Sequence, residues 1–260
     1  MRRRLTVALL ALLPAVAAAQ SRVSLAVLGA MPVEVERLRA RLEHPVVRTV
    51  EGIPFLEGTL GGKHVVVVRA GVGKVNAGVT TALLLEHFRP PRVLFTGVAG
   101  ALDSTLALGD LVFATATAEH DLGMFGAQGM SSFGATPASD TVPNPIRFPG
   151  DTLLLRVARD VARREGWHAR EGMVVTGDVF VANDSLRRTL RRRFPDAVAV
   201  EMEGAAVAQV CWQTGHVPLL VVRSISDGAG AGAGETFDQF ARRAAERSSE
   251  LVARVVEAIP

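Results

Sequence analysis

Uninterrupted runs of β-branched and aliphatic residues constrain the fold of this 260-residue chain more than any other feature. Residues 65–68 are four consecutive valines, and 93–95 and 219–222 are similar apolar runs. A strand that is apolar on both faces belongs to a sheet covered by helices on both sides, as parallel sheets are. Amphipathic helical patterns at 33–42, 75–88 and 237–259 alternate with these runs. We therefore expect an α/β fold, a single three-layer α/β/α domain with a central, mostly parallel mixed sheet.

The N-terminus has the pattern of a secretory signal peptide. Arginines at 2–4 precede an apolar run at 5–13, and small residues at 15–19 resemble a cleavage site. The run is shorter than the roughly 20 residues that a membrane-spanning helix needs. We expect a cleaved signal peptide at 1–19 and one domain at 20–260. The product would be an exported, periplasmic protein without stable membrane association.

The charge of the chain argues against a nucleic-acid partner. The formal net charge is +3, and cleavage after residue 19 removes three arginines and no acid, which leaves a formally neutral protein. A basic run at 187–193 (RRTLRRR) follows a helix start, and we interpret it as a solvated helix face.

Glycines and carboxylates gather where the predicted strands end. In open α/β sheets ligands bind beyond the carboxyl ends of the strands, and the ends here carry Gly71-Val-Gly73, Gly177-Asp178, Glu201 with Glu203, and Asp227, while Glu34 follows the first strand. No His–acid spacing supports a metal; His120-Asp121 is the best local candidate. The Gly-Val-Gly-Lys loop matches neither a P-loop nor a dinucleotide fingerprint, which argues against a dinucleotide-dependent dehydrogenase. No cofactor is expected.

Three carboxylates without a metal suit the cleavage of a glycosidic bond. One protonates the leaving group, one activates water, and a third holds sugar hydroxyls around an oxocarbenium-like transition state. The chemistry alone does not identify the sugar or the leaving group.

Six ordered motifs carry a resemblance to a known family. They are GAMPVEV (29–35), GVGKVNAG (71–78), FTGVAGALDSTLALGDLV (95–112), TGDVFVAND (176–184), AVEMEGAAVAQVC (199–211) and RSISDGA (223–229). Together they resemble the methylthioadenosine/S-adenosylhomocysteine nucleosidases of the purine nucleoside phosphorylase superfamily, over about residues 23–258. The resemblance implies a nucleoside phosphorylase-like fold, a homodimer, and hydrolysis of the N-glycosidic bond of an adenine nucleoside to release adenine.

The resemblance also implies residue roles. Glu34 matches the carboxylate that activates water, and Asp227 matches the acid that protonates the purine at N7. Glu203 would bind the ribose hydroxyls, with Met202 against the sugar and Glu201 nearby. The remaining expected substrate-binding residues are Met31 on the ribose side, Val98 where the family commonly has Ser, Phe180 stacked on the base, the Val181 backbone at its edge, Arg223 supporting the acid, Ser226, and Phe237 at the 5′ substituent.

The acid requires a shifted pKa. Asp227 can donate a proton near neutral pH only if burial or neighbouring charge raises its pKa, and Glu201 and Glu203 are the expected source of that charge. Glu34 must stay ionised at the same time.

Two alternatives remain open. A phosphorylase would use phosphate as the nucleophile, with Arg69 and Lys74 flanking the glycine loop. A non-catalytic exported protein would bind a nucleoside in the same pocket.

Two segments depart from the strand–helix rhythm. Residues 124–149 are rich in Gly, Ser and Pro and predict a long functional or interfacial loop. Residues 228–234 read GAGAGAG and predict a flexible hinge before the last helix.

Overall fold

The computed structural model of this chain describes residues 22–127, 129–138 and 144–260. Within them the strands are β1 (Leu25–Gly29), β2 (Glu43–Val50), β3 (Ile53–Leu60), β4 (Lys63–Arg69), β5 (Val93–Phe95), β6 (Val98–Ala101), β7 (Leu111–Glu119), β8 (Gly123–Gly126), β9 (Gly129–Ser132), β10 (Phe148–Pro149), β11 (Ala169–Thr176), β12 (Ala197–Glu201) and β13 (Leu219–Asp227). The helices are α1 (Pro32–Ala40), α2 (Lys74–Phe88), α3 (Thr152–Arg164), α4 (Asp184–Arg193), α5 (Gly204–Gln213) and α6 (Ala233–Ala258).

The apolar runs form the central strands because both of their faces are buried. In β4, Val66 and Val68 pack into one core cluster, and Val65 and Val67 pack into another on the opposite face. The neighbouring β1 divides its side chains between the same two clusters and pairs with β4 in parallel. The period-two alternation of a strand thus places every valine of the run in a core.

Helices cover both faces of the sheet. Leu84 of α2 and Val207 of α5 belong to the cluster on one face. Leu38 of α1, Leu154 of α3 and Leu251 of α6 belong to the cluster on the other. This arrangement confirms the predicted α/β fold with helices on either side of a central mixed sheet.

The sheet is more mixed than the sequence suggests. Its order is β10-β7-β11-β12-β6-β13-β5-β1-β4-β3-β2, with an additional pairing of β7 with β13. Adjacent strands are parallel within the series β4, β1, β5, β13, β6 and within the series β7, β11, β12. The two series are joined by antiparallel pairings, of β6 with β12 and of β7 with β13. The antiparallel edge of β2 and β3 was not predicted, because all but one of the residues of β2 are exposed and have no strand-like burial pattern.

The two irregular segments contain more structure than expected. Residues 124–149 include most of the β8–β9 hairpin and the short strand β10. In the GAGAGAG segment, α6 begins at Ala233, four residues before the predicted start, after Gly232 at a φ of 83°. Ala229 is buried and donates its N–H to Oδ1 of Asp227 at 2.8 Å. The segment is therefore an anchored turn and helix start, not a free hinge.

The predicted signal peptide at 1–19 lies outside the described residues. In the described part of the chain, no helix is long and apolar enough to cross a membrane. Arg188, Arg191 and Arg192 of the basic run are exposed on α4, as expected of a solvated face.

Candidate active site

A cavity of about 230 Å³ lies where β1, β12 and β13 end. It is lined by most of the residues singled out from the sequence: Met31, Glu34, Val98, Phe180, Glu201, Met202, Glu203, Ser226, Asp227 and Phe237. Arg223 and Val181 are not among the lining residues. Segments far apart in sequence thus bring three expected functional carboxylates, Glu34, Glu203 and Asp227, into one pocket.

The first turn of α1 holds Glu34 against the cavity. Its Oε2 accepts the backbone N–H of Met31 at 2.8 Å, and its Oε1 accepts that of Val98 at 3.1 Å. Burial raises the pKa of Glu34, while the positive charge of Arg223 and these backbone donors lower it. A side chain at Gly97 would bring its Cβ to 2.8 Å from Oε1, so this close approach requires glycine.

The last residue of β13 presents a second buried carboxylate. Asp227 Oδ2 accepts the hydroxyl of Ser226 at 2.9 Å, and Oδ1 accepts the N–H of Ala229. Burial raises the pKa of Asp227, against the lowering effect of those two hydrogen bonds. Of the two expected causes, burial is the one that favours the protonated acid, and the charge of Glu201 or Glu203 does not contribute to the shift.

Arg223 supports a different carboxylate from the one expected. Its Nη2 lies 2.7 Å from Oε2 of Glu201, and both side chains are almost completely buried. The guanidinium also stacks on the Phe95 ring, with Cζ 4.1 Å from the ring centroid, and donates to the Phe95 carbonyl. No described contact joins Arg223 to Asp227; the acid receives its side-chain hydrogen bond from Ser226 instead.

Glu201 is the acceptor at the start of α5. Its carboxylate accepts the N–H groups of Glu203 and Gly204, and the hydroxyl of Thr176 at the end of β11. Because Arg223 also donates to its Oε2, Glu201 connects β11, β13 and the turn that carries Met202 and Glu203. Its contacts are structural, and it lines the cavity next to Glu203, the residue expected to bind ribose, as the sequence predicts.

Glu203 faces the cavity from the other side of that turn. Its Oε1 accepts the N–H of Gly73 at 2.8 Å. Burial, and next the charge of Glu201, raise the pKa of Glu203 to about 8, so this carboxyl carries a proton at neutral pH. Gly73 has a φ of 91°, which favours glycine at the position that presents its N–H.

Two aromatic rings form the outer wall. Phe180 and Phe237 meet edge to face with their centroids 5.5 Å apart, and Phe180 is 43% exposed at the mouth. Val181 is buried in a core cluster with Leu190 of α4. Its side chain therefore anchors the loop that carries Phe180.

Comparison with known proteins identifies the family. The phosphorylase superfamily model matches residues 24–257. A 5′-methylthioadenosine/S-adenosylhomocysteine nucleosidase from Geobacillus kaustophilus is 41% identical over 229 residues, which are 87% of this chain and 94% of that protein. The chain belongs to this superfamily. It is a methylthioadenosine/S-adenosylhomocysteine nucleosidase-like member of it.

Solved structures agree with this assignment. The nucleosidase from Neisseria meningitidis in complex with methylthio-immucillin-A has a TM-score of 0.82 and 38% identity, and the match covers 90% of this chain and 98% of that one. The futalosine hydrolase of Helicobacter pylori strain 26695 has a TM-score of 0.81 and 32% identity, with 90% and 97% covered. Enzymes named for different substrates thus share the fold of this superfamily member.

Sequence reasoning missed an ion-pair cluster beside the pocket of this superfamily member. Lys74 Nζ lies 2.7 Å from Oδ1 of Asp121 and 3.1 Å from Oε2 of Glu119. Asp121 Oδ2 accepts the N–H of Asp178, and Asp178 Oδ1 accepts the N–H of Lys74. Burial opposes the charge of Lys74, but its two carboxylate partners outweigh that effect and raise its pKa. The signal was present as a lysine after the glycine loop and a carboxylate after His120, but their proximity depends on the fold.

The same cluster bears on the metal alternative. Asp121, one of the two residues of the candidate metal pair His120-Asp121, accepts a hydrogen bond from the amino group of Lys74. In the described residues no three His, Cys, Asp or Glu side chains are grouped as metal ligands.

Proposed function

We propose that this superfamily member hydrolyses the N-glycosidic bond of 5′-methylthioadenosine, S-adenosylhomocysteine or a related adenine nucleoside and releases adenine. The observation that carries the proposal is the convergence of Glu34, Glu203 and Asp227 on one largely apolar cavity. The names of its relatives supply the substrate class.

The geometry supports a division of labour among the carboxylates. Glu34 acts in its ionised form and takes a proton from water as the water oxygen attacks C1′; burial raises its pKa, and the two backbone donors and the charge of Arg223 oppose that rise. The C1′–N9 bond breaks and its electron pair moves into the purine. Asp227 gives its proton to N7, so that adenine leaves neutral.

The neighbouring residues bind and orient the nucleoside. Glu203 is proposed to accept from or donate to the ribose hydroxyls, with Met31, Val98 and Met202 lining the sugar side. Phe180 offers a face to the base, and Phe237 contacts the 5′ substituent. The apolar walls exclude water from all but the attacking position, which strengthens each electrostatic contact.

The charge distribution favours water over phosphate as the nucleophile. No Lys or Arg lines the described cavity. Lys74, the cation expected to serve a phosphate, is paired with two carboxylates, and Arg69 is exposed. A bound phosphate would therefore meet the carboxylate of Glu34 without a compensating cation in the cavity wall.

The test is adenine release by the chain without residues 1–19. 5′-Methylthioadenosine, S-adenosylhomocysteine, adenosine and futalosine are incubated separately, first without phosphate and then with it, and the base and sugar products are identified by chromatography. We expect free base and a free reducing sugar without phosphate. Release that requires phosphate would show a phosphorylase, and tight binding with no product after long incubation would show a nucleoside-binding protein.

We also propose that the protein forms a homodimer through the surface beside the cavity mouth. Val75 and Val79 lie one turn apart on α2 and are 76% and 51% exposed. Two further valines are exposed: Val72, which itself lines the cavity, and Val179, which precedes the lining residue Phe180. Exposed apolar residues concentrated at one place are typical of an interface. Light scattering should give the mass of two chains, and Val75→Glu with Val79→Glu should give the mass of one.

Export to the periplasm is proposed from residues 1–19 alone. Fractionation of cells that produce the full chain should find a product shortened by 19 residues in the periplasmic fraction. A full-length product in the cytoplasmic fraction would contradict the proposal.

A further inference from the structure

A second cavity, of about 300 Å³, lies behind the candidate active site. Its walls come from the turn before β7, the turn between α3 and β11, and α6. Ile225, two residues before Asp227 on β13, lines the second cavity and pairs in the sheet with Ala99, which lines the first; Ala244 on α6 also lines the second cavity. Ala244 also packs in the small core cluster that contains Val98 and Phe237. The second cavity is thus adjacent to the first, but it shares no lining residue with it and contains none of its carboxylates.

The arginines of α6 divide into two pairs. Arg242 and Arg254 have carboxylate partners, Glu36 at 3.3 Å and Glu250 at 3.1 Å. Arg243 and Arg247 line the second cavity and make no ion pair or hydrogen bond with any residue in the described ranges. Four residues apart on one helix, they project from the same face into the same space.

The wall of the second cavity fixes the orientation of the Arg247 guanidinium. The Cζ of Arg247 lies 5.0 Å from the centroid of the Trp167 ring, a cation–π arrangement that holds the guanidinium in place. Asp110 is the carboxylate among the lining residues, and its charge is already engaged. It accepts the N–H of Ala107 at 2.8 Å and lies 2.9 Å from Nδ1 of His168. The excess charge that faces the open space is therefore positive.

We propose that this cavity binds a small oxyanion, a phosphate or a dicarboxylate, between Arg243 and Arg247. Guanidinium groups bind carboxylate and phosphate oxygens through paired N–H donors, and two of them on adjacent helical turns match a doubly charged ion. A volume of about 300 Å³ is at the lower end of small-ligand pockets. The site is independent of the proposed hydrolysis, because none of the residues that line it also lines the nucleoside cavity.

The experiment is calorimetric titration of the chain without residues 1–19 at low ionic strength, with inorganic phosphate in one series and succinate in another. We expect at least one of them to bind with a dissociation constant of about 1 mM or lower. Binding of phosphate alone, or of succinate alone, would identify the source of the oxyanion. Failure of both to bind would overturn the proposal.

Two variants locate the site. Arg243→Gln with Arg247→Gln should weaken binding by at least about tenfold, since each removes a charged donor. Arg242→Gln, adjacent on α6 but paired with Glu36, is the matched control and should leave the affinity unchanged. All three positions are exposed, so thermal unfolding midpoints should stay close to that of the unmodified chain. Equal affinity in the double variant and the control would place the ion elsewhere and overturn the proposal.

Discussion

The backbone N–H of Val98 donates a 3.1 Å hydrogen bond to Oε1 of Glu34, linking the start of β6 to the first turn of α1. The other carboxylate oxygen accepts the N–H of Met31. Both donors belong to the backbone, so Val in place of the Ser common in the family leaves this support of Glu34 intact. The substitution removes only a hydroxyl from the cavity wall.

Glu34→Gln should abolish hydrolysis and preserve binding. The amide is nearly the same shape but cannot take a proton from water, so we expect adenine release to fall by about 10²–10⁴-fold. Titration with a transition-state mimic such as methylthio-immucillin-A should still show tight binding. Glu36→Gln is the control, because Glu36 is on the same helix but exposed and paired with Arg242. Undiminished release by Glu34→Gln would count against the assignment.

Asp227→Asn should reduce turnover by a similar factor without unfolding the protein. The amide oxygen can still accept the N–H of Ala229, and the amide NH2 can donate to the hydroxyl oxygen of Ser226, but Asn has no acidic proton to give to N7. Single-turnover adenine release and the thermal unfolding midpoint measure the two effects separately. Turnover like that of the unmodified enzyme would remove Asp227 from the acid role.

Ser226→Ala serves as the companion variant. The Ser226 hydrogen bond lowers the pKa of Asp227, so its loss should raise that pKa further. Since the enzyme needs Asp227 protonated, the alkaline limb of the pH–rate profile should move to higher pH, whereas a merely structural effect would lower the rate at every pH.

Local pattern and topology contributed differently to what the sequence predicts. The valines of β4 and the run in β13 could be assigned to buried strands because their periodicity is local. Glu34 and Asp227 could be placed at one site because strand ends of a parallel sheet share an edge. The partner of Arg223 could not be predicted, because Arg223 is on β13, Glu201 is on β12, and β6 separates these two strands in the sheet. The Lys74 cluster was missed for the same reason: its carboxylates lie at or just after the ends of two other strands, Glu119 and Asp121 at β7 and Asp178 at β11.

Arg223→Met should be strongly destabilising. Removing the guanidinium leaves the buried carboxylate of Glu201 without its ionic partner, which typically costs about 3–5 kcal/mol of the free energy of unfolding. Arg242→Met, which breaks an exposed pair, should cost less than about 1 kcal/mol. Urea unfolding of both variants tests the contrast, and similar losses would show that the Arg223–Glu201 pair is not a main support of the site.

Lys74→Met should impair substrate binding more than the chemical step. The side chain of Lys74 joins the loop that presents the Gly73 N–H to Glu203 with Glu119 and Asp121, whereas the bond to Asp178 comes from the backbone N–H and survives the substitution. Without the Lys74 side chain we expect KM to rise by about tenfold or more, since the carboxyl of Glu203, proposed to bind ribose, loses its fixed orientation, while kcat changes less. Lys63→Met is the control, because Lys63 begins β4 and its amino group donates, among the described residues, only to the carbonyl of Glu257. An unchanged KM in Lys74→Met would contradict this role.

The proton held by Glu203 should make the stability of the protein fall as pH rises. Burial raises its pKa from 4.5 to about 8 in the folded protein, so above pH 4.5 the folded state retains a proton that the unfolded state releases. Stability associated with this group is fully present below 4.5 and is lost as pH rises through 8, at about 1.4 kcal/mol per pH unit at most.

Glu203→Gln isolates this effect, because the amide resembles the protonated carboxyl and does not titrate. The unfolding free energy of the unmodified protein should fall between pH 5 and pH 8 relative to that of the variant, with the two curves diverging as the pH increases. Urea unfolding at each pH unit measures the difference. Asp227 titrates in both proteins and cancels in the comparison, whereas Glu34 leaves a smaller difference through its charge interaction with Glu203. Parallel curves would mean that Glu203 is ionised in the folded state, and that the Gly73 N–H outweighs its burial.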